Sequence, residues 1–277
     1  MEPVKFPHGA AGFRLIPYDV FDPVTNMAID EALLELHCQG KTPPTLRFYG
    51  WEPASISFGY SQRVSPDTVA RIKAQGLGVV RRPTGGRAVL HEGELTYSFI
   101  GSSNQSEIYG GPPLSSSIQQ AYKQICQAFI VGLNRIDVPV ELGRADSSYK
   151  NHEDCFEATT LADLHYQGKK LVGSAQLRRK EALLQHGSVL IDQGQNRMAE
   201  LLGLKTRAAT REGADSSQQK RHACLNDIVQ VDRTTLEEAI GYGFNKVFDC
   251  KFTVYDLSFD EWEVVDALKS NLERYRL

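Results

Sequence analysis

Between Cys155 and Gly187 the chain places a thiol, a lysine pair and a histidine within two hairpins' length, with small residues at 173–175 and 187. A cysteine attacks as thiolate, so this set does covalent chemistry only where a neighbouring cation favours the ionised sulfur. An ammonium about 4 Å away, at an effective dielectric of about 20, contributes roughly 4 kcal/mol, enough to make a thiol mainly thiolate at neutral pH. Cys155, in "EDCFEA", ends a polar run, and a hairpin after it is expected to bring Lys169 or Lys170 back alongside. The bland alternative is a small buried thiol, the commoner fate of a lone cysteine. Cys38, Cys126 and Cys250 sit in helical or strand patterns and keep that reading; Cys224 has no frame of small residues.

Alternation in "GKKLVGSAQ" predicts that if Leu171 faces the core, Lys170 and Val172 face away. Gly173, Ser174 and Ala175 then leave room for something slender. "QHGSV" puts His186 beside Gly187 on the returning strand, as a structural histidine or as part of a site. A second segment, "RRPTGGRAVLHEGELTYS", lacks the P-loop and the GxGxxG spacings. Read blandly, it is strand, turn at Gly85-Gly86, strand. Read functionally, the paired glycines let backbone N–H groups approach an oxygen, with Arg81, Arg82, Arg87 and His91 crowding one turn with donors.

The elements that position these residues are short. "TNMAIDEALLELHCQG" reads as a helix burying Met27, Ile29, Ala32, Leu33 and Leu36, and "IQQAYKQICQAFIVGLNRI" as one burying Ile118, Tyr122, Ile125, Phe129 and Leu133. "TLRFYGW", "SISFGY", "GVVRRP" and "RAVLHEGELTYSFI" are β-like, and "YQGKK" is a hairpin turn with Gly168 at positive φ. Thr235 with Glu238, and Ser258 with Glu261, form capping-box patterns for two later helices. Helices and mostly antiparallel strands without a βαβ rhythm predict an α+β fold. Residues 1–210 are expected to form a catalytic domain and residues 211–277 a small helical C-terminal segment packed on it.

Thirty-one basic against 34 acidic residues, a net charge of −3, give no support to nucleic-acid binding. Runs such as "AFIVGL" fall far short of the roughly 20 residues that cross a bilayer, and the N-terminus shows no signal-peptide core. Five scattered cysteines without a CxxC pair fit a reducing cytoplasm better than a disulfide framework or a structural zinc.

Taken together, "NMAIDEALL", "RFYGWEPASISFGYSQ", "RRPTGGRAVLHEGELTYS", "GKKLVGSAQ" and "LLQHGSVL", in this order over roughly residues 12–195, resemble the lipoate/octanoate protein ligase A/B family, the relatives of biotin protein ligase. Within it they look most like the LipM-type octanoyltransferases. The resemblance implies a biotin protein ligase-like catalytic fold, with Cys155 as acyl-carrying nucleophile and Lys170 as the second catalytic residue. It implies an acyl pocket lined by Arg82, Thr84, Gly85, Gly86 and Arg87. His91, Gly173, Ser174, Ala175, His186 and Gly187 match pocket positions less closely. Related amidotransferases typically carry Pro-Gly after the cysteine, where this chain has Phe156-Glu157-Ala158; that departure favours a first-step octanoyltransferase.

The implied donor is octanoyl-acyl carrier protein, an already activated thioester, so neither ATP nor a metal is expected. The implied acceptor is a lysine of a lipoyl-domain protein resembling the glycine-cleavage H protein, and a monomer is expected. Lys170 would hold the thiolate and then help place and deprotonate the acceptor lysine, while backbone N–H groups near it or in the glycine turn steady the oxyanion. Six buried methylenes at about 0.8 kcal/mol each give roughly 5 kcal/mol, ample to select a medium chain. Two alternatives stay open: an ATP-dependent lipoate-protein ligase, and a non-enzymatic acyl-binding module.

Overall fold

The computed structural model describes residues 11–103, 113–143, 163–204, 222–271 and 274–277. Cys155, with the polar runs at 104–112 and 144–162 and the charged run at 205–221, lies outside the described residues.

The larger sheet comprises β1 (Ala11–Phe21), β2 (Thr45–Trp51), β6 (Glu94–Ser102), β7 (Glu141–Leu142), β8 (Leu164–Tyr166), β9 (Lys169–Arg179), β10 (Ala182–Leu190) and β11 (Cys250–Val254). The smaller comprises β3 (Ser55–Phe58), β4 (Gly78–Arg81) and β5 (Val89–His91). Their spatial orders are β11-β1-β2-β6-β10-β9-β8-β7 and β4-β3-β5. The centre, β2-β6-β10-β9-β8, is antiparallel, while β1 pairs in parallel with β2 and β11. The helices are α1 (Pro23–Cys38), α2 (Pro66–Ala74), α3 (Ile118–Asn134), α4 (Met198–Leu202), α5 (Arg233–Phe248) and α6 (Phe259–Ser270). The architecture is α+β, as the pattern of elements predicts.

Strand alternation sets the layers. Leu46, Phe48, Tyr97 and Phe99 pack on one face against Phe129 of α3 and Phe244 of α5. Tyr49 and Ile100 pack on the other against Met27, Ile29 and Leu33 of α1. A third cluster joins Ile56, Phe58 and Leu90 of the small sheet to Ile72 of α2 and Leu201 of α4. Helix α1 starts where Asp22 caps the amides of Val24 and Thr25 and Pro23 takes the first helical position. The expected apolar face is buried, but so are Asp30 and Glu31, which leaves this helix with little solvent-facing surface.

Three expectations change. In α3 the buried side is Ala121, Ile125, Cys126, Ala128, Phe129, Gly132 and Leu133, while Ile118 is 59% exposed at the first turn. The close helix α5 explains the rotation: a Cβ at Gly132 would stand 2.4 Å from the Ala239 carbonyl, so the small residues face α5. Helix α5 is capped by Asp232, which accepts from the Thr235 amide; Thr235 lies inside the helix and is not its cap. The Ser258–Glu261 capping box is present as expected. After residue 221, α5 contributes to the main core and β11 to the large sheet. Residues 274 and 275 are tied to α1, where Arg274 and the Tyr275 hydroxyl both donate to Glu31.

The third change concerns Lys170. Leu164 pairs with Val172 and His165 with Lys170, so Leu171 is an extra residue, a bulge. Leu171 and Val172 therefore both enter the core shared with α3 and α5. Simple alternation would have placed them on opposite faces. The bulge puts Lys170 out of phase with Val172 and in phase with Gly173 and Ala175. The hairpin turn before it has Gln167 at φ 49° and Gly168 at φ 76°, the paired positive values that a two-residue turn uses.

Candidate active site

A cleft of about 370 Å³, counting the part open to solvent, lies between the two sheets on the α1 face. Of the residues singled out from sequence, Arg82, His91, Gly173, Ser174, Ala175, His186 and Gly187 line it. Met27, Tyr49, Trp51, Ser57, Val89, Thr96 and Ser188 complete the wall. Thr84, Gly85, Gly86 and Arg87 form the turn behind it, with Gly86 at φ 98°.

The two arginines of the turn are structural clamps as much as donors. Arg82 gives hydrogen bonds to the carbonyls of Ser57 (2.9 Å), Gly85 (3.0 Å) and Arg87 (2.6 Å) and to Ser57 Oγ (3.1 Å). Arg81 gives its own to the carbonyls of Gly59, Tyr60 and Gln62. The glycine turn thus keeps its shape through charge-assisted bonds to backbone oxygens.

Below the turn runs a buried chain of polar groups. Thr84 Oγ1 meets His186 Nε2 at 2.6 Å, and His186 Nδ1 donates to Asp30 Oδ2 at 3.0 Å. Arg47 and the Tyr49 hydroxyl also donate to Asp30, at 2.9 and 2.8 Å. Burial alone would raise the Asp30 pKa, but the His186 hydrogen bond and the Arg47 charge outweigh it and hold the carboxyl below its ordinary value. His91 is set differently. Burial lowers its pKa below the usual histidine value despite the pull of Glu94. The neutral ring donates from Nδ1 to Glu94 (2.8 Å), accepts from Ser57 (2.8 Å), and stacks on Trp51 with centroids 3.9 Å apart.

Lys170 is buried, and its Nζ pairs with Asp163 at 2.9 Å. Along β9, three residues or roughly 10 Å separate it from Gly173 in the cleft wall. Asp163, Asp30, Arg47, Tyr49, Ser57 and Glu94 were not singled out from sequence. The detectable signal was a carboxylate inside an otherwise apolar run, as in "NMAIDEALL" and "TTLADLHY". Three of the four described thiols are held protonated by burial: Cys126 and Cys250 are pushed up to about 12, and Cys38 is raised. The fourth, Cys224, is buried and its Sγ donates to the Asp192 carbonyl.

Gly187 is a position where only hydrogen fits. A Cβ there would lie 2.3 Å from the Gly173 carbonyl oxygen and 2.9 Å from Ser174 Oγ. Gly187→Ala must spread β9 from β10 along the cleft wall, so a loss of about 1–3 kcal/mol in stability is expected. Urea unfolding of the wild type and the variant checks it.

Across 94% of its length the chain superposes on a lipoate-protein ligase A bound with ATP, with a TM-score of 0.74, 22% identity and 95% of that chain covered. A bipartite lipoate protein ligase from Thermoplasma acidophilum superposes with a TM-score of 0.67 and 20% identity, over 94% of this chain and 92% of that one. The fold is that of a lipoate ligase-like catalytic domain. Residues 22–245 match the lipoyl protein ligase A/B catalytic domain, and the chain belongs to that family. Among its relatives, Octanoyltransferase LipM of Lysinibacillus sphaericus (strain C3-41) is 37% identical over 89% of this chain and 91% of its own length. Octanoyltransferase LipM of Bacillus subtilis (strain 168) is 34% identical, over 92% and 93%.

Proposed function

We propose that this chain is an octanoyltransferase of protein lipoylation, moving an octanoyl group from octanoyl-acyl carrier protein to a lysine of a lipoyl domain, glycine-cleavage H protein-like in kind. What carries the reading is one conjunction: relatives named as octanoyltransferases that match over about nine-tenths of both chains, and a cleft between the two sheets with small and apolar side chains in its wall. Cys155 takes the acyl group as a thioester, and Lys170 steadies charge during the exchange. The protonated state of Cys38, Cys126 and Cys250 supports giving the nucleophile's role to Cys155. Met27, Trp51, Val89 and Ala175 offer the acyl tail an apolar lining. The donor thioester is already activated, so transfer runs without nucleotide or metal.

The acceptor reading draws support from the Thermoplasma ligase, which was solved as part of a lipoylation system with an E2 lipoyl domain. The expected setting is a monomeric enzyme working in the cytoplasm on carrier proteins; no helix among the described residues is long and apolar enough to cross a membrane. Intact-mass spectrometry after incubation with octanoyl-acyl carrier protein tests the core of this proposal. One added octanoyl group is expected, absent in Cys155→Ala and released by hydroxylamine. Modification of a lipoyl domain by Cys155→Ala with free lipoate and ATP would instead make it a ligase.

A further inference from the structure

Residues 274–277 have no role in the chemistry proposed for octanoyl transfer, yet they are bonded to both sides of the cleft. On the large-sheet side the anchor is Glu31 of α1, which is 1% exposed. Arg274 donates to its carboxylate from Nε at 2.6 Å and also from Nη2, and the Tyr275 hydroxyl donates at 3.0 Å. Arg179, the last residue of β9, is a further donor to the same carboxylate. Burial alone would raise the Glu31 pKa, but the Arg274 hydrogen bond and the Arg274 and Arg179 charges outweigh it and hold the carboxyl below its ordinary value.

On the small-sheet side the anchor is Arg81 of β4. Its backbone N–H donates to the Tyr275 carbonyl at 3.0 Å, and its Nε to the Arg276 carbonyl at 3.3 Å. The Tyr275 ring is buried in one cluster with Met27 of the cleft wall and Val80 of β4, and Leu277 packs on the small-sheet cluster. Arg81 Nη1 is the group that donates to the carbonyls of Gly59, Tyr60 and Gln62. That loop lies directly on the glycine turn. The Tyr60 amide donates to the Thr84 carbonyl at 2.8 Å, and a Cβ at Gly59 would stand 2.1 Å from the Gly86 carbonyl oxygen. Arg82 and Val89, on either side of the turn, are in the cleft wall. A continuous path of bonds therefore runs from Glu31 through 274–276 and Arg81 to loop 59–62 and the turn.

We infer that residues 274–276 are a positioning strap for the acyl site: clamped on Glu31, they fix Arg81 and, through it, the glycine turn in the shape that receives the acyl chain. This role rests on the octanoyltransferase reading for the identity of the ligand, but not for the bonds themselves. The strap touches no reacting atom, so it acts through the population of the competent turn. When only a fraction of molecules hold that shape, apparent affinity falls in proportion while the bound complex reacts as before. Loss of the strap therefore raises KM for the acyl donor and leaves kcat in place.

The variant Arg274→Met/Tyr275→Phe removes the bonds that the segment gives to Glu31 and keeps most of the side-chain bulk. Arg274→Lys, which keeps the charge and loses the fork, is a milder second variant. Arg233→Met, which breaks the half-exposed pair with Glu237 on α5, is the control. Steady-state transfer is measured with octanoyl-acyl carrier protein as donor, and amide hydrogen exchange at 59–62 and 84–88 is followed without substrate. In the double variant KM for the donor is expected to rise about tenfold with kcat within about twofold of wild type, and those amides to exchange about tenfold faster. Arg274→Lys is expected to lie between, and Arg233→Met to match wild type in both measurements. Unchanged KM with unchanged exchange in both strap variants overturns the inference. So does a fall in kcat at constant KM, or exchange that quickens equally in α3 and α5, because either means a general loosening. Absence of octanoyl transfer in the wild type would defeat the octanoyltransferase reading instead; the substrate-free exchange comparison still decides whether 274–276 hold the turn.

Discussion

Lys170→Met is expected to cut octanoyl transfer steeply and to lower stability by about 3–5 kcal/mol, the cost of removing one partner of a buried ion pair. Both members of the pair are almost fully sequestered, so solvent cannot take over the role of the missing ammonium. Methionine keeps most of the length and apolar stem of lysine, which confines the change to charge. The variant Lys170→Met/Asp163→Asn removes both charges and should recover most of the lost stability while staying inactive. A fall of ~10³-fold in transfer, about 4 kcal/mol of transition-state stabilisation, is expected for both forms. Urea unfolding separates the single from the double substitution, and an assay on the refolded protein reads the activity. An active double variant would show that the pair serves the fold alone.

The pair also shows where sequence reasoning stops. Lys170 could be picked out from "GKKLVGSAQ", because a lysine beside three small residues is a local pattern. Its partner could not, because Asp163 reaches it only through the turn at Gln167-Gly168 and the bulge at Leu171. Alternation assumes an unbroken pleat, and one inserted residue reverses its forecast for every position on one side. The same limit hid β11, whose parallel pairing joins residues 250–254 to 11–15 across nearly the whole chain. Signals completed within a few residues, such as the Ser258–Glu261 box and the 167–168 turn, were legible. Most of the expected pocket residues do gather in one cleft, because the glycines and small side chains that mark them are local as well. The buried carboxylates were not legible: each gets its meaning from a cation or hydroxyl contributed by another element.

Asp30 is the clearest of these and carries the second large effect. It receives Arg47, Tyr49 and His186 at once, and no other carboxylate among the described residues has all three as partners. Asp30→Ala leaves the Arg47 guanidinium, 1% exposed, with its hydrogen bonds to Asn26 but without a carboxylate to balance its charge. A loss of about 3–5 kcal/mol is expected at pH 7. The sign of the pH dependence follows from the depressed Asp30 pKa. Its contribution is complete above the unfolded carboxylate value of about 3.9 and disappears as pH falls through the lower folded value, because the unfolded chain binds the proton first. Wild type should therefore lose stability on acidification below about pH 4, and Asp30→Ala should lose less over the same window, the two curves drawing together. Urea midpoints from pH 7 down to pH 3 measure this convergence; parallel curves would mean that Asp30 does not titrate on unfolding. Function should suffer through a separate route. With Asp30 gone, His186 loses the acceptor that orients its ring, and Thr84 loses the fixed Nε2 that ties the glycine turn to β10. The cleft wall then loosens on the side assigned to the acyl chain, so at pH 7 the variant is expected to show a higher KM for the acyl donor in addition to its lower midpoint.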